Sequence, residues 1–160
     1  ALTEIGSLIQ EEPNNPYFYE VQGQIYLSMA KPDLAIPAYQ KAVNLKPIAA
    51  PQLRLALAVA QLATDRPEMS QAALSNLKIA SLTESDDIFT WYETAQAYSN
   101  LKNEPMAALS TAESYYSGGD YKQAAQFAAR ARRGLTQGTG DWERANDIIG
   151  AAAQQARDLR

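Results

Sequence analysis

The sequence predicts an all-α protein built from repeated pairs of antiparallel helices. Four residues recur at the spacing of one helix face, and they are Tyr19, Gln22, Gly23 and Tyr26. After a break at residues 31–33, a second stretch repeats the helical spacing and ends at Pro47. Because weaker copies of this pattern follow along the chain, we expect about nine helices arranged as hairpins.

Composition excludes several classes of function. The 160 residues include no histidine and no cysteine, so a zinc hydrolase motif of the H-E-x-x-H kind, a Ser-His-Asp triad and a disulfide frame are all excluded within them. A net charge of −4 with both signs interspersed disfavours binding to nucleic acid or anionic membranes. We therefore predict no catalytic residue, no cofactor site and no metal site in these residues.

The repeats follow one another along a single predicted domain, residues 1–160. Residues 1–12 are interpreted as the second helix of a truncated repeat, because Pro13 stands where Pro47 stands one period later. The chain begins without an initiator methionine or a signal peptide, so we interpret it as an excised fragment. The further segments are repeat 1 (16–47), repeat 2 (50–83), repeat 3 (87–117), repeat 4 (106–133, sharing a helix with repeat 3) and a capping helix (141–158).

Small and aromatic residues at fixed offsets predict how each hairpin packs. Small residues let two helix backbones approach closely, and aromatic rings fill the remaining volume. The predicted packing residues are Tyr19, Gly23, Tyr26, Ala35, Tyr39, Ala42 and Pro47 in the first repeat and Trp91, Ala95 and Tyr98 in the third.

These offsets resemble the tetratricopeptide repeat, whose pattern is an aromatic, Leu-Gly, Tyr, then Ala, an aromatic, Ala and Pro. In the first repeat, only Gln22 departs from the pattern. The resemblance implies a tetratricopeptide-repeat superhelix with a C-terminal capping helix.

Longer runs resemble the C-terminal repeat domain of bacterial BepA-like (YfgC-like) zinc metallopeptidases. They are residues 12–18 (EPNNPYF), Gly23-Gln24, and residues 106–109 (MAAL) leading to Gly119-Asp120-Tyr121. The resemblance implies a periplasmic protein whose protease domain and zinc lie upstream of these residues. It also implies that the repeats engage the outer-membrane β-barrel assembly machinery, its clients, or the protein's own protease domain. None of the family's zinc ligands maps onto this sequence.

A superhelix of this kind has a concave groove lined by first-helix residues that packing does not use. Aromatic rings there supply apolar contact area, and amides can satisfy the backbone of a bound peptide. For each residue, solvated surface and packing between repeats stay open as alternatives to partner contact. The groove residues are Tyr17, Glu20, Gln24 and Leu27 in the first repeat and Phe89, Tyr92, Gln96 and Asn100 in the third.

Charged residues are interpreted as helix-end features. The pairs Glu11-Glu12 and Asp86-Asp87 each precede a predicted helix start, where unpaired backbone N–H groups favour carboxylates. Asp141 is predicted to cap the last helix. The arginines at positions 130, 132 and 133 stand late in a helix, where the dipole favours cations.

The leading hypothesis is a non-catalytic module for protein or peptide binding that recruits partners or substrates to an attached periplasmic metalloprotease. The alternative is a general scaffold, adaptor or self-association module unrelated to a protease, and for it a cytoplasmic location stays open. No nucleic acid partner and no membrane insertion are expected.

Overall fold

The computed structural model describes residues 1–46 and 50–158. Over these residues the chain forms nine α-helices and no strand, which confirms the all-α prediction. The helices are α1 (Leu2–Glu11), α2 (Pro16–Ser28), α3 (Pro32–Leu45), α4 (Pro51–Leu62), α5 (Pro67–Ser81), α6 (Ile88–Asn100), α7 (Glu104–Ser117), α8 (Tyr121–Gly134) and α9 (Gly140–Asp158).

The helices divide between two compact units. The first unit, Ala1–Ser85, holds α1 to α5, and the second unit, from Asp86 onward, holds α6 to α9. In the first unit each helix packs against the next one in the chain, and in the second unit α7 packs against α6, α8 and α9. The assignment of these helices to the repeats of a single domain stays a prediction.

Proline and short polar residues set the helix starts. Four helices of the first unit begin with proline, which is tolerated at the first helical position because its missing N–H has no partner there. At α2, α6, α7 and α8 a side chain caps the helix by accepting a hydrogen bond from a backbone N–H. Asp87 accepts the Thr90 N–H at 2.8 Å, as the Asp86-Asp87 interpretation requires. The other capping residues are Asn15, Asn103 and Asp120.

Two expectations about helix ends are wrong. Glu11 is the last residue of α1 and Glu12 follows it, so this pair lies at a C-terminal end. The next helix starts later because Asn15 provides its cap. At α9 the Thr139 hydroxyl accepts the Trp142 N–H at 3.3 Å, so Thr139 takes the capping role predicted for Asp141.

In the first unit, α2 and α3 pack around Gly23 and Tyr39. Both residues are buried, and a Cβ added to Gly23 would lie 2.9 Å from three carbons of the Tyr39 ring. Ala35 and Ala42 are buried beside them, whereas Tyr19 and Tyr26 are half-buried and pack against the same core. Pro47, the remaining packing residue predicted for this repeat, lies outside the described residues.

The core of the second unit is built mainly from alanine. Its buried cluster draws on α7, α8 and α9, and α6 contributes nothing to it among the described residues. The cluster comprises Ala108, Leu109, Ala112, Ala124, Ala128, Ala131, Ala145 and Ile148.

The predicted packing residues of α6 are partly enclosed. Trp91, Ala95 and Tyr98 are each half-buried, whereas Thr90 and Ala97 are the buried residues of this helix. Three short residues of α7, Ala107, Ala108 and Thr111, line a cavity with α6 that is described next.

Candidate functional site

The four groove residues predicted on α2 have different surroundings within the first unit. Tyr17 and Gln24 are exposed, and Glu20 is half-buried. The Tyr17 hydroxyl accepts a hydrogen bond from the Lys46 ammonium at 2.9 Å. Leu27 is half-buried and packs against the core cluster, which favours the packing alternative for this residue.

The four groove residues predicted on α6 are more open within the second unit. Phe89 is 71% exposed and Tyr92 is 59% exposed. The Gln96 side-chain amide donates a hydrogen bond to Oδ1 of the Asn100 side chain at 3.2 Å. Of these four, Tyr92 and Gln96 line a cavity.

This cavity, about 410 Å³ in volume, opens between α6, α7 and α8. Its size falls in the range of pockets that bury small ligands or anchor side chains. The Tyr115 and Phe127 rings form one wall, stacked with their centroids 5.5 Å apart and their planes at 18°. The remaining lining residues are Tyr92, Ala95, Gln96, Ser99, Glu104, Ala107, Ala108, Thr111, Ser114 and Arg130.

Two hydroxyl groups of the cavity wall already donate their hydrogens within the chain. The Thr111 hydroxyl donates to the Ala107 carbonyl at 2.8 Å, and the Ser114 hydroxyl donates to the Ile88 carbonyl at 3.2 Å. Each oxygen keeps acceptor capacity, because a hydroxyl carries two lone pairs. The wall therefore presents aromatic and methyl groups together with hydroxyl acceptors.

An exposed ion pair lies at the edge of the cavity. Arg130 Nη2 is 3.0 Å from Glu104 Oε2, and the two side chains are 63% and 65% exposed. Exposed pairs of this kind contribute about 0–1 kcal/mol, because water screens them and both side chains lose freedom. Either partner can therefore be redirected at small cost.

The cavity lies where three large residues of the first hairpin have short counterparts in α6 and α7. Gly23 and Ala95 are each the eighth residue of their helix, so the helix starts align the two hairpins position by position. The large residues all belong to or pack against the first core. They are Leu27, Ile36 and Tyr39, and their counterparts are Ser99, Ala108 and Thr111, all three in the cavity wall.

Sequence reasoning missed most of this site. It identified Tyr92 and Gln96 but not the residues contributed by α7 and α8. Comparing the sizes of aligned residues in the first and third repeats reveals the loss of the Tyr39 ring at Thr111. No comparable signal marks Phe127 or Arg130, because they come from a helix outside the aligned pair.

A second charged contact lies away from the cavity and docks α9 on α7. Arg144 donates from Nε and Nη2 to both carboxylate oxygens of Glu113, at 2.6 and 2.7 Å. The hydrogen bond to Glu113 raises the pKa of the Arg144 guanidinium, so it stays charged. Its guanidinium also lies 5.5 Å from the centroid of the Tyr116 ring. This contact joins α9 to α7 and contributes nothing to the cavity lining.

Within residues 1–46 and 50–158, no group of three or more His, Cys, Asp or Glu side chains is placed to hold a metal ion. Of the helices described, none has the length and apolarity that crossing a bilayer requires.

Comparison with known proteins defines the class of fold. The tetratricopeptide repeat family matches residues 16–48, and the chain has an all-α tetratricopeptide-repeat fold. Among solved structures, the crystal structure of MamA is similar, with a TM-score of 0.71 over 99% of this chain and 88% of that chain, at 18% sequence identity. No curated protein matches the chain.

Proposed function

We propose that the chain is a protein-binding module and that the cavity between α6, α7 and α8 anchors its partner. The observation that carries the proposal is an open cavity with an aromatic wall and Tyr92, 59% exposed, at its edge. Binding energy concentrates where an aromatic anchor fills a desolvated pocket. The repeat fold supports this class of function, although the fold alone names no partner.

Photo-crosslinking tests the proposed site. A benzophenone amino acid is placed at Tyr92 in one variant and at Leu82, which is 79% exposed in the first unit, in a control variant. Crosslinked partners are identified by mass spectrometry, purified, and titrated against the wild-type chain and Tyr92→Ala. We expect a partner specific to position 92 whose affinity falls about tenfold or more in Tyr92→Ala. Equal capture at both positions, with no change in affinity, would remove the proposal.

We further propose that the module belongs to a periplasmic zinc metallopeptidase and recruits outer-membrane assembly partners or substrates to it. The support is the resemblance of residues 12–18 and 106–109 to the repeat domain of that family. In the gene, an H-E-x-x-H motif is expected upstream of these residues. Its absence would remove the protease link and leave the binding module in place.

Self-association is the alternative that Phe89 favours, since its ring is 71% exposed. A second copy could cover this ring. Multi-angle light scattering decides the matter: we expect a monomer, and a dimer that Phe89→Ser converts to a monomer would establish the alternative.

A further inference from the structure

We propose that the cavity receives an aromatic side chain of the partner protein and that carboxylates flank this residue in the partner. The inference rests on the proposed function and deepens it, because it specifies the chemistry of the partner segment. An incoming ring would occupy the space that corresponds to the Tyr39 ring of the first hairpin, shifted away from the methyl group of Ala95.

The first hairpin shows what fills this position. There the Tyr39 ring covers Gly23 so closely that a Cβ on Gly23 would lie 2.9 Å from its carbons. At the same positions α6 and α7 carry Ala95 and Thr111. Relative to Gly23, Ala95 adds one methyl group, and relative to Tyr39, Thr111 lacks the phenol ring. The space is left open, as the cavity of about 410 Å³ shows.

The cavity wall suits an aromatic occupant. Tyr115 and Phe127 already stack, and a third ring could pack against them edge-to-face or offset. The hydroxyls of Thr111 and Ser114 have donated their hydrogens, so their oxygens can accept from an incoming phenol. Tyrosine therefore fits the wall better than phenylalanine.

Charge at the end of α8 favours carboxylates beside that ring. Arg130 lines the cavity, and Arg133 follows three residues later on the same side of α8, where it is exposed. Lys102, also exposed, lies in the turn that precedes α7. Among the described lining residues Glu104 carries the one carboxylate, and it is held by a mostly exposed pair that an incoming carboxylate can replace.

The ring is tested with 4-methylphenol, the tyrosine side chain as a free molecule. It is titrated into the protein labelled with ¹⁵N and ¹³C-methyl groups, and chemical shifts are followed by NMR. We expect shifts at Ala95, Ala108 and Thr111 with a dissociation constant on the order of 1 mM, as fragments of this size bind. Absence of shifts at these residues would overturn the proposal.

Two variants fill the cavity from within. Thr111→Tyr introduces the residue type of its first-hairpin counterpart Tyr39, and Ala108→Ile introduces that of Ile36. Each is expected to weaken 4-methylphenol binding about tenfold or more, while Thr136→Tyr, at an exposed loop position, leaves it unchanged. If one filling variant fails to fold, the other decides. Unchanged binding in a folded filling variant would place the ring elsewhere and contradict the proposal.

The flanking charge is tested with two peptides that each contain one tyrosine, surrounded either by aspartate and glutamate or by lysine. Fluorescence anisotropy should show the acidic peptide binding about tenfold tighter at low salt. We expect Arg130→Gln to reduce this preference and Arg157→Gln, on α9, to preserve it. Equal affinity for both peptides would contradict the proposal that carboxylates flank the aromatic residue of the partner. Capture of a partner at position 92 without binding of 4-methylphenol would support the protein-binding function and contradict the proposal that the cavity receives an aromatic ring.

Discussion

Gly23 lies against the Tyr39 ring, and this single contact makes a strong prediction about stability. Gly23→Ala places a methyl group 2.9 Å from buried ring carbons, so the ring or the helix must shift. We expect the free energy of unfolding to fall by about 1–3 kcal/mol, despite the better helix propensity of alanine.

Gly6 provides the matched control for that substitution. It also lies inside a helix, but nothing surrounds its Cβ position within 4 Å. Gly6→Ala should therefore raise the free energy of unfolding by about 0.5–1 kcal/mol through helix propensity. Urea denaturation of both variants measures the difference, and a similar gain in the two would show that the Tyr39 contact is loose.

The carboxyl group of Glu93 is expected to make the stability of the fold depend on pH. Burial raises the pKa of its carboxyl above the ordinary value. The folded state therefore binds the Glu93 proton more tightly than the unfolded chain does. The resulting contribution to the free energy of unfolding is fully present below the pKa that Glu93 has in the unfolded chain. It is lost as the pH rises through the pKa of Glu93 in the folded state. Glu93→Gln, which removes this half-buried charge, should raise the melting temperature at pH 7 and leave it unchanged at pH 3. Circular dichroism melts at both pH values measure this, and an equal shift at both would argue against burial as the cause.

The spacing of residues in the sequence predicts some side-chain contacts and not others. The meeting of Gly23 with Tyr39 was predictable, because both positions belong to one hairpin with a fixed pattern. The half-burial of Trp91 and Tyr98 was not, because the degree of burial depends on how much volume the facing helix supplies. The small size of Thr111 shows that α7 supplies little volume at this position, but only when Thr111 is compared with its counterpart Tyr39 in the first repeat.

Among the helices, α9 docks on α7 through the Arg144–Glu113 pair. Glu113 is 7% exposed, so losing the guanidinium leaves a buried carboxylate without two hydrogen bonds. Arg144→Met should lower the free energy of unfolding by about 1–3 kcal/mol. The double variant Arg144→Met/Glu113→Met should regain most of this loss, because no buried charge is then left unpaired. Urea denaturation compares the two, and equal losses would mean that the pair contributes packing and little electrostatics.

Helix boundaries were predictable where one residue decides them and not where neighbours compete. Asp87 caps α6 as expected, since a single carboxylate faces the first free N–H groups. At α9, Thr139 and Asp141 are two candidates separated by one glycine, and the chain uses the earlier one. The choice depends on the backbone conformation of the preceding loop, which residue type alone does not specify.

For the whole molecule, the division into two units predicts independent folding. Each unit has its own buried cluster, one centred on Tyr39 and Leu57 and the other on the alanines of α7 to α9. A chain of residues 86–160 should therefore show helical circular dichroism and one cooperative thermal transition. A chain of residues 1–85 is the matched partner. A gradual, non-cooperative melt of either chain would show that its cluster is too small to stabilise it alone.

The alanine core of the second unit has a consequence for the conformational entropy of binding. Alanine has no side-chain rotamers, so folding these residues into a core costs essentially no side-chain entropy. Ala107, Ala108 and Ala95 extend the same composition into the cavity wall. In this alanine part of the wall a bound group would find few rotamers to restrict. The ordering cost of binding would fall on the incoming segment, on the ring of Tyr92 and on the long side chains of Gln96, Glu104 and Arg130.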